Sequence, residues 1–184
     1  MRTRFLTALG TCFMLALATP VIAQQPPAPA APVAPSAPAA PAPSAAAVSR
    51  PDYGPPITIE QAKVVAAAAV AEARKNNYRM AIAIVASTGE LVYFEKMDGT
   101  QMASIELSLG KARTAVMFRQ PSKIFYEQSL GGNMAFMSFP ERPVASEGGI
   151  PIVVSGKLIA AIGVSGGLAY QDGAVATVGA SAAK

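Results

Sequence analysis

The chain has 184 residues, of which 52% are hydrophobic and only 14% charged, and its formal net charge is +4. It has no histidine and no tryptophan, and its single cysteine is Cys12. Those zeros exclude a Ser-His-Asp or Cys-His triad, a zinc finger, a histidine-rich zinc enzyme and an iron–sulfur cluster. The length fits one domain.

Arg2 and Arg4 precede an apolar run over residues 5–17, Pro20 breaks the run, and Val21-Ile22-Ala23 follows. This is the pattern of a secretory signal peptide over residues 1–23, with cleavage expected after Ala23 and a periplasmic or secreted destination. The run is too short for a membrane anchor, which needs about 20 apolar residues. Cys12 sits too early in it for a lipoprotein. Loss of Arg2 and Arg4 takes the balance from 15 basic against 11 acidic residues to 13 against 11. No Lys/Arg cluster remains to track a phosphate backbone, so no nucleic-acid partner is expected.

Residues 24–56 read as a disordered Pro/Ala-rich linker. From Gln24 to Ser49 there is no charge and no aromatic residue, and prolines recur from Pro26 to Pro43. Such a segment cannot build a core and favours extended polyproline II. A spacer is one reading; a Pro-rich ligand for a partner is the other.

The folded domain is expected over residues 57–184. Thr58 to Gln61 has the form of a capping box, opening an alanine-rich helix that ends near Asn76-Asn77. The apolar run over residues 80–86 predicts a buried strand, Thr88-Gly89 a turn, and residues 91–97 the returning strand. Ile105, Leu109, Ala112 and Val116 repeat at helical spacing over residues 102–118. Pro121 starts a shorter helix and Gly131-Gly132 stops it. Residues 133–149 read as a long loop containing at most a short strand. Residues 150–154 and 157–164 predict a second hairpin across Ser155-Gly156, and a last helix starts near Asp172. The order α-β-β-α-α-β-β-α, with mainly antiparallel pairing and helices packed on the sheet, is α+β.

Three stretches then carry a family resemblance. The first is Met97-Asp98-Gly99 with Ser104 and Lys111-Ala112-Arg113-Thr114-Ala115. The second is Gly148-Gly149-Ile150-Pro151-Ile152. The third runs from Gly156 to Gly167, with Asp172 just beyond. Together, in order, they resemble the GlcG/HbpS-like haem-binding family. The resemblance implies a profilin-like antiparallel sheet flanked by helices, assembly into homo-oligomers, and binding of a small-molecule ligand. Secreted members imply haem binding for sequestration or redox sensing beside a sensor-protein partner. Cytoplasmic members imply a glycolate-linked metabolic enzyme or accessory role, and an oligomeric protein-binding scaffold is a third reading. The signal peptide fits the secreted branch. The missing histidine departs from it, because haem iron usually takes one.

The ligand-binding candidates are Met97, Asp98, Lys111, Thr114, Glu147, Gly148 and Gly149. Lys111 and Thr114 are three apart and share a helix face. Lys111 would pair with a carboxylate such as a haem propionate and Thr114 would hydrogen-bond a ligand; otherwise they form a solvated face with Thr114 packed inward. Gly148-Gly149 would let backbone N–H groups approach an anion, with Glu147 as a polar contact, or would mark a bulge before the strand. Asp98 and Asp172 fit either ligand contact or helix capping. With neither His nor Cys, iron ligation falls to Tyr53, Tyr78, Tyr93, Tyr126, Tyr170, Met97, Met102, Met134 or Met137. The Met134–Phe139 stretch would line a porphyrin pocket or a subunit interface, or simply pack. No catalytic residue is assigned: Glu95, Asp98, Glu106, Glu127 and Glu147 are scattered, and no nucleophile elbow or nucleotide loop is present.

Overall fold

The structure, a computed structural model, describes residues 50–184. The expected signal peptide and residues 24–49 of the expected linker lie outside the described residues.

Helix α1 (Ile59–Lys75) opens on Thr58 as the capping box requires. Gln61 N donates to Thr58 Oγ1 at 3.2 Å, and Thr58 N donates to Gln61 Oε1 at 3.1 Å. Arg74 and Lys75 suit its negative C-terminal end, and Asn77 leaves it with φ +56°. Strands β2 (Ala81–Ala86) and β3 (Leu91–Lys96) form the first hairpin, and β4 (Gly149–Val154) and β5 (Lys157–Ser165) the second. The hairpins join through antiparallel pairing of β2 with β5, from Ala81↔Ser165 to Ala86↔Ala160. The order is therefore β3-β2-β5-β4. Helices α2 (Ala103–Phe118) and α3 (Lys123–Leu130) lie between the hairpins in sequence, and α4 (Ala169–Ser181) follows β5.

The sheet has two unlike faces. Ile82 and Ile84 of β2, Ile152 of β4, and Ile162 and Val164 of β5 pack against Val65, Ala66, Ala69 and Val70 of α1 and Val175 and Ala176 of α4. On the other face Ala83, Val85, Leu158 and Ala161 meet Ala112, Ala115 and Val116 of α2. Small residues let α2 come close. A Cβ on Gly163 would stand 1.9 Å from the Ser108 carbonyl oxygen, so only glycine fits there. β5 also carries a bulge: β4 pairs Ile152 with Ala160 and Val153 with Leu158, leaving Ile159 unpaired on that side.

Three sequence expectations need correction. Folded contacts begin before residue 57: a short strand β1 (Asp52–Tyr53) pairs with Lys157-Leu158. Tyr53 Oη donates to the Val116 carbonyl at 2.9 Å, and Asp52 meets Lys157 at 3.0 Å. Its pairing is parallel, a minor exception in the mainly antiparallel sheet that the sequence predicts. The loop over 133–149 holds a 3₁₀ turn (Ala135–Ser138) rather than a strand, with Phe136 buried. Helix α4 starts at Ala169, three residues before Asp172, because Gln171 caps the Leu168 N–H at 2.8 Å.

Candidate functional site

The registers Ala81↔Lys96, Ala81↔Ser165 and Gly149↔Gly163 bring one end of every long strand together. The three sequence stretches therefore converge. Met97-Asp98-Gly99 leaves β3, Gly148-Gly149 enters β4, and Gly166-Gly167 leaves β5, all at the same end of the sheet.

Lys111, read as either a ligand contact or part of a solvated face, is buried. Its Nζ meets Asp172 Oδ2 at 2.7 Å and donates to the Val164 carbonyl at 3.1 Å. The carboxylate it pairs with is thus the chain's own. Asp172 Oδ1 accepts the Gly167 N–H at 2.9 Å. Burial pushes the Asp172 carboxyl above its ordinary range; Lys111 and the backbone N–H groups of Gly167 and Gly166 pull the other way. Asp172 is therefore no N-cap. It sits inside the first turn of α4 and holds both Lys111 and the chain entering the helix.

Gly148 makes this meeting possible. Its φ is +117°, and a Cβ there would stand 2.9 Å from Asp172 Cβ and 3.1 Å from Lys111 Nζ. A Cβ on Gly149 would stand 2.2 Å from the Lys111 carbonyl oxygen. The glycine pair thus permits close packing of β4 against α2. The Gly149 N–H is already taken by Ser122 Oγ at 2.9 Å, and the Gly148 carbonyl accepts from Val164 N at 2.8 Å. Glu147 lies against α4 at Gly173 and pairs with Lys123 of α3 at 3.1 Å; that contact raises the Lys123 pKa. Thr114 donates to the Gly110 carbonyl at 2.8 Å and accepts from Val144 N at 2.9 Å, so its packed-inward reading holds. It fastens the loop that delivers Glu147.

Met97 and Asp98 stand apart from this buried knot. With Arg74, Arg79, Glu95 and Lys96 they line an open groove of about 420 Å³. Asp98 does not cap α2: the residue at the cap is Met102, with no side-chain cap bond. Among the expected iron ligands, Tyr53 is occupied by backbone carbonyls. Tyr93 donates to Glu95 Oε2 at 3.0 Å, which raises its pKa and disfavours the phenolate. Met102, Met134 and Met137 are exposed. Met97 is half-buried, packs against the apolar core shared with α1 and α4, and also lines that groove.

Sequence reasoning missed Ser122. Its hydroxyl accepts from Gly149 N and donates to the Ser146 carbonyl at 2.6 Å. Its backbone N–H donates to the Gly149 carbonyl at 3.0 Å. The Pro121-Ser122 pair signalled only a helix start.

A family model described as "Haem degrading protein HbpS-like" matches residues 57–181. The chain belongs to the HbpS-like family. This HbpS-like chain is 37% identical to protein GlcG of Escherichia coli K12 over 106 residues, covering 58% of this chain and 78% of GlcG. A double mutant of Streptomyces reticuli HbpS has a similar structure, with TM-score 0.63 and 28% identity over 78% of this chain and 97% of that one. At the level of fold alone, the crystal structure of a PduOC–haem complex matches with TM-score 0.64 and 24% identity, covering 69% of this chain and 94% of that one.

Proposed function

We propose that this HbpS-like chain is an exported haem-binding protein that sequesters haem or senses redox state. It takes haem at the groove formed by Arg74, Arg79, Lys96, Met97 and Asp98. The observation that carries this reading is a groove at the end of the sheet whose lining holds the half-buried Met97 and three cationic side chains. A methionine sulfur is an accepted haem ligand, and Arg and Lys pair with propionate carboxylates. The cations outnumber Glu95 and Asp98 there by three to two. These residues offer a thioether for the iron and cations for the propionates without histidine. The family's haem-degrading description and the PduOC–haem complex support the ligand class. Lys111, Thr114, Glu147, Gly148 and Gly149 position the neighbouring strand ends rather than meet the ligand. The Arg2/Arg4 pattern before the apolar run supports export. Self-association and a sensor-protein partner belong to the same reading. Exposed Leu107 and Met117 on α2 and Val64 on α1 offer apolar surface for contact.

A haemin titration of the chain from Gln24, followed at the Soret band, tests the site. The expected result is a saturable shift at one haem per chain that Met97→Ala abolishes and Arg79→Gln weakens. No saturable shift, or one indifferent to both substitutions, overturns it. N-terminal sequencing of protein recovered outside the cytoplasm tests export, with Gln24 expected first.

A further inference from the structure

A second concavity, of about 390 Å³, lies between the end of α2, α3 and the 3₁₀ turn. Its walls are four phenylalanines. Phe118 meets Phe125 edge-on at 4.8 Å and Phe139 in a stack at 5.9 Å, and Phe125 meets Phe136 edge-on at 5.6 Å. Phe125 and Phe136 are buried and Phe139 forms the rim. Such interlocked rings hold the aromatic wall of the concavity in shape without a ligand. Four polar side chains, Arg50, Gln120, Gln128 and Asn133, interrupt the apolar wall. Gln120 is only 9% exposed and lines the concavity. Its side-chain amide makes no hydrogen bond among the described residues, which leaves it available to a ligand. Arg50 stands at the mouth.

An apolar cleft with a few convergent polar groups is the usual form of a small-molecule site. We propose that this cavity binds a flat aromatic carboxylate. The ring lies among Phe118, Phe125, Phe136 and Phe139, the Gln120 amide donates to the carboxylate, and the Arg50 guanidinium neutralises it. A neutral aliphatic ligand would leave Gln120 unpartnered and gain nothing from stacking. The proposal is independent of the haem reading, since none of these residues lines the groove at Met97.

The test uses 2-naphthoate as probe and naphthalene-2-carboxamide as its neutral counterpart, titrated calorimetrically into the chain from Gln24. Amide NMR spectra are recorded alongside. One saturable 2-naphthoate site is expected, with shifts at the Gln120 side-chain amide and across residues 117–139. Arg50→Gln, at an exposed position, is expected to weaken 2-naphthoate about tenfold and leave the carboxamide unchanged. Gln120→Leu is expected to weaken both while keeping the circular dichroism of the parent. Absence of saturable binding, shifts confined to other regions, or equal response of the two probes to Arg50→Gln overturns the proposal. So does unaltered binding to Gln120→Leu. A Soret response that persists in Gln120→Leu is expected and separates this site from the haem groove.

Discussion

Lys111 of α2 and Asp172 of α4 meet at 2.7 Å with side-chain exposures of 3% and 4%. The two helices lie on opposite faces of the sheet, and the pair closes where Gly148 leaves a gap at its end. Removing one partner leaves the other charged and dry. Lys111→Met is expected to cost about 3–5 kcal/mol. The double variant Lys111→Met with Asp172→Leu is expected to recover most of that loss, because two apolar groups need no counter-ion. Urea unfolding of the set, analysed as a double-mutant cycle, measures the coupling. Equal stability of the double variant and the worse single variant would sink this account.

The same pair sets a pH dependence. The unfolded Asp172 carboxyl titrates near its ordinary value of 3.8, and burial places the folded one above it. Between the two values the folded chain holds more protons than the unfolded chain, so stability falls as pH rises. The contribution is complete below the unfolded value and is lost as pH passes the folded one. The wild type is therefore expected to lose stability relative to Asp172→Asn as pH rises above the ordinary carboxyl value of 3.8. Urea midpoints of both proteins across that rise decide it; a difference that is flat or grows with pH contradicts the sign.

The contact of α2 with β5 predicts an asymmetry among glycines. Gly163→Ala places a methyl 1.9 Å from the Ser108 carbonyl oxygen, so α2 must lift and the loss is expected at about 3 kcal/mol. Gly131→Ala is the control. Its Cβ finds ordinary contacts from 3.5 Å outward, its φ is −78°, and a gain of about 0.4–1 kcal/mol is expected. Thermal unfolding compares them. A mild Gly163→Ala would mean that α2 is free to move.

A chain beginning at Ile57 is expected to be less stable than one beginning at Arg50. It lacks the Tyr53 bonds to Val116 and Met117 and the β1 pairing with β5. Tyr53→Phe isolates the hydroxyl and is expected to cost about 1 kcal/mol. Denaturant midpoints of the three proteins measure both effects, and identical midpoints would show β1 to be ornamental.

Much of this architecture was readable from residues alone, for local reasons. The Thr58/Gln61 box, the Gly89 turn and the Ser155-Gly156 tip each signal structure within a few positions, and each stands where expected. β1 was not readable: Asp52-Tyr53 has no apolar run, and its partner lies more than 100 residues away. The buried face of α2 was only half readable. Ala112 and Val116 are buried as their spacing implies, but Ser104, Ser108 and Lys111 face inward too. Small Ala161 and Gly163 draw the helix backbone so near that short polar side chains fit where large apolar ones cannot. A lysine reads as surface unless its counter-ion is known, and Asp172 is 61 positions away. The site followed the same division. The glycines and the motif residues were found, whereas Ser122 and the separation of Met97 and Asp98 from Lys111 depend on tertiary placement.

The bulge at Ile159 separates length from register in β5. Its carbonyl, released from the β4 ladder, accepts the N–H groups of Ile57 at 3.1 Å and Ser87 at 3.0 Å. A chain with Ile159 deleted would still present Leu158 and Ala161 to α2 and Ala160 to the opposite face, with pairing to β4 now continuous. What it would lose is the fastening of the approach to α1 and of the β2–β3 turn, together with the buried Ile159 side chain in the core. One residue thus works as a clasp, tying two neighbouring segments to the sheet while its side chain fills the core.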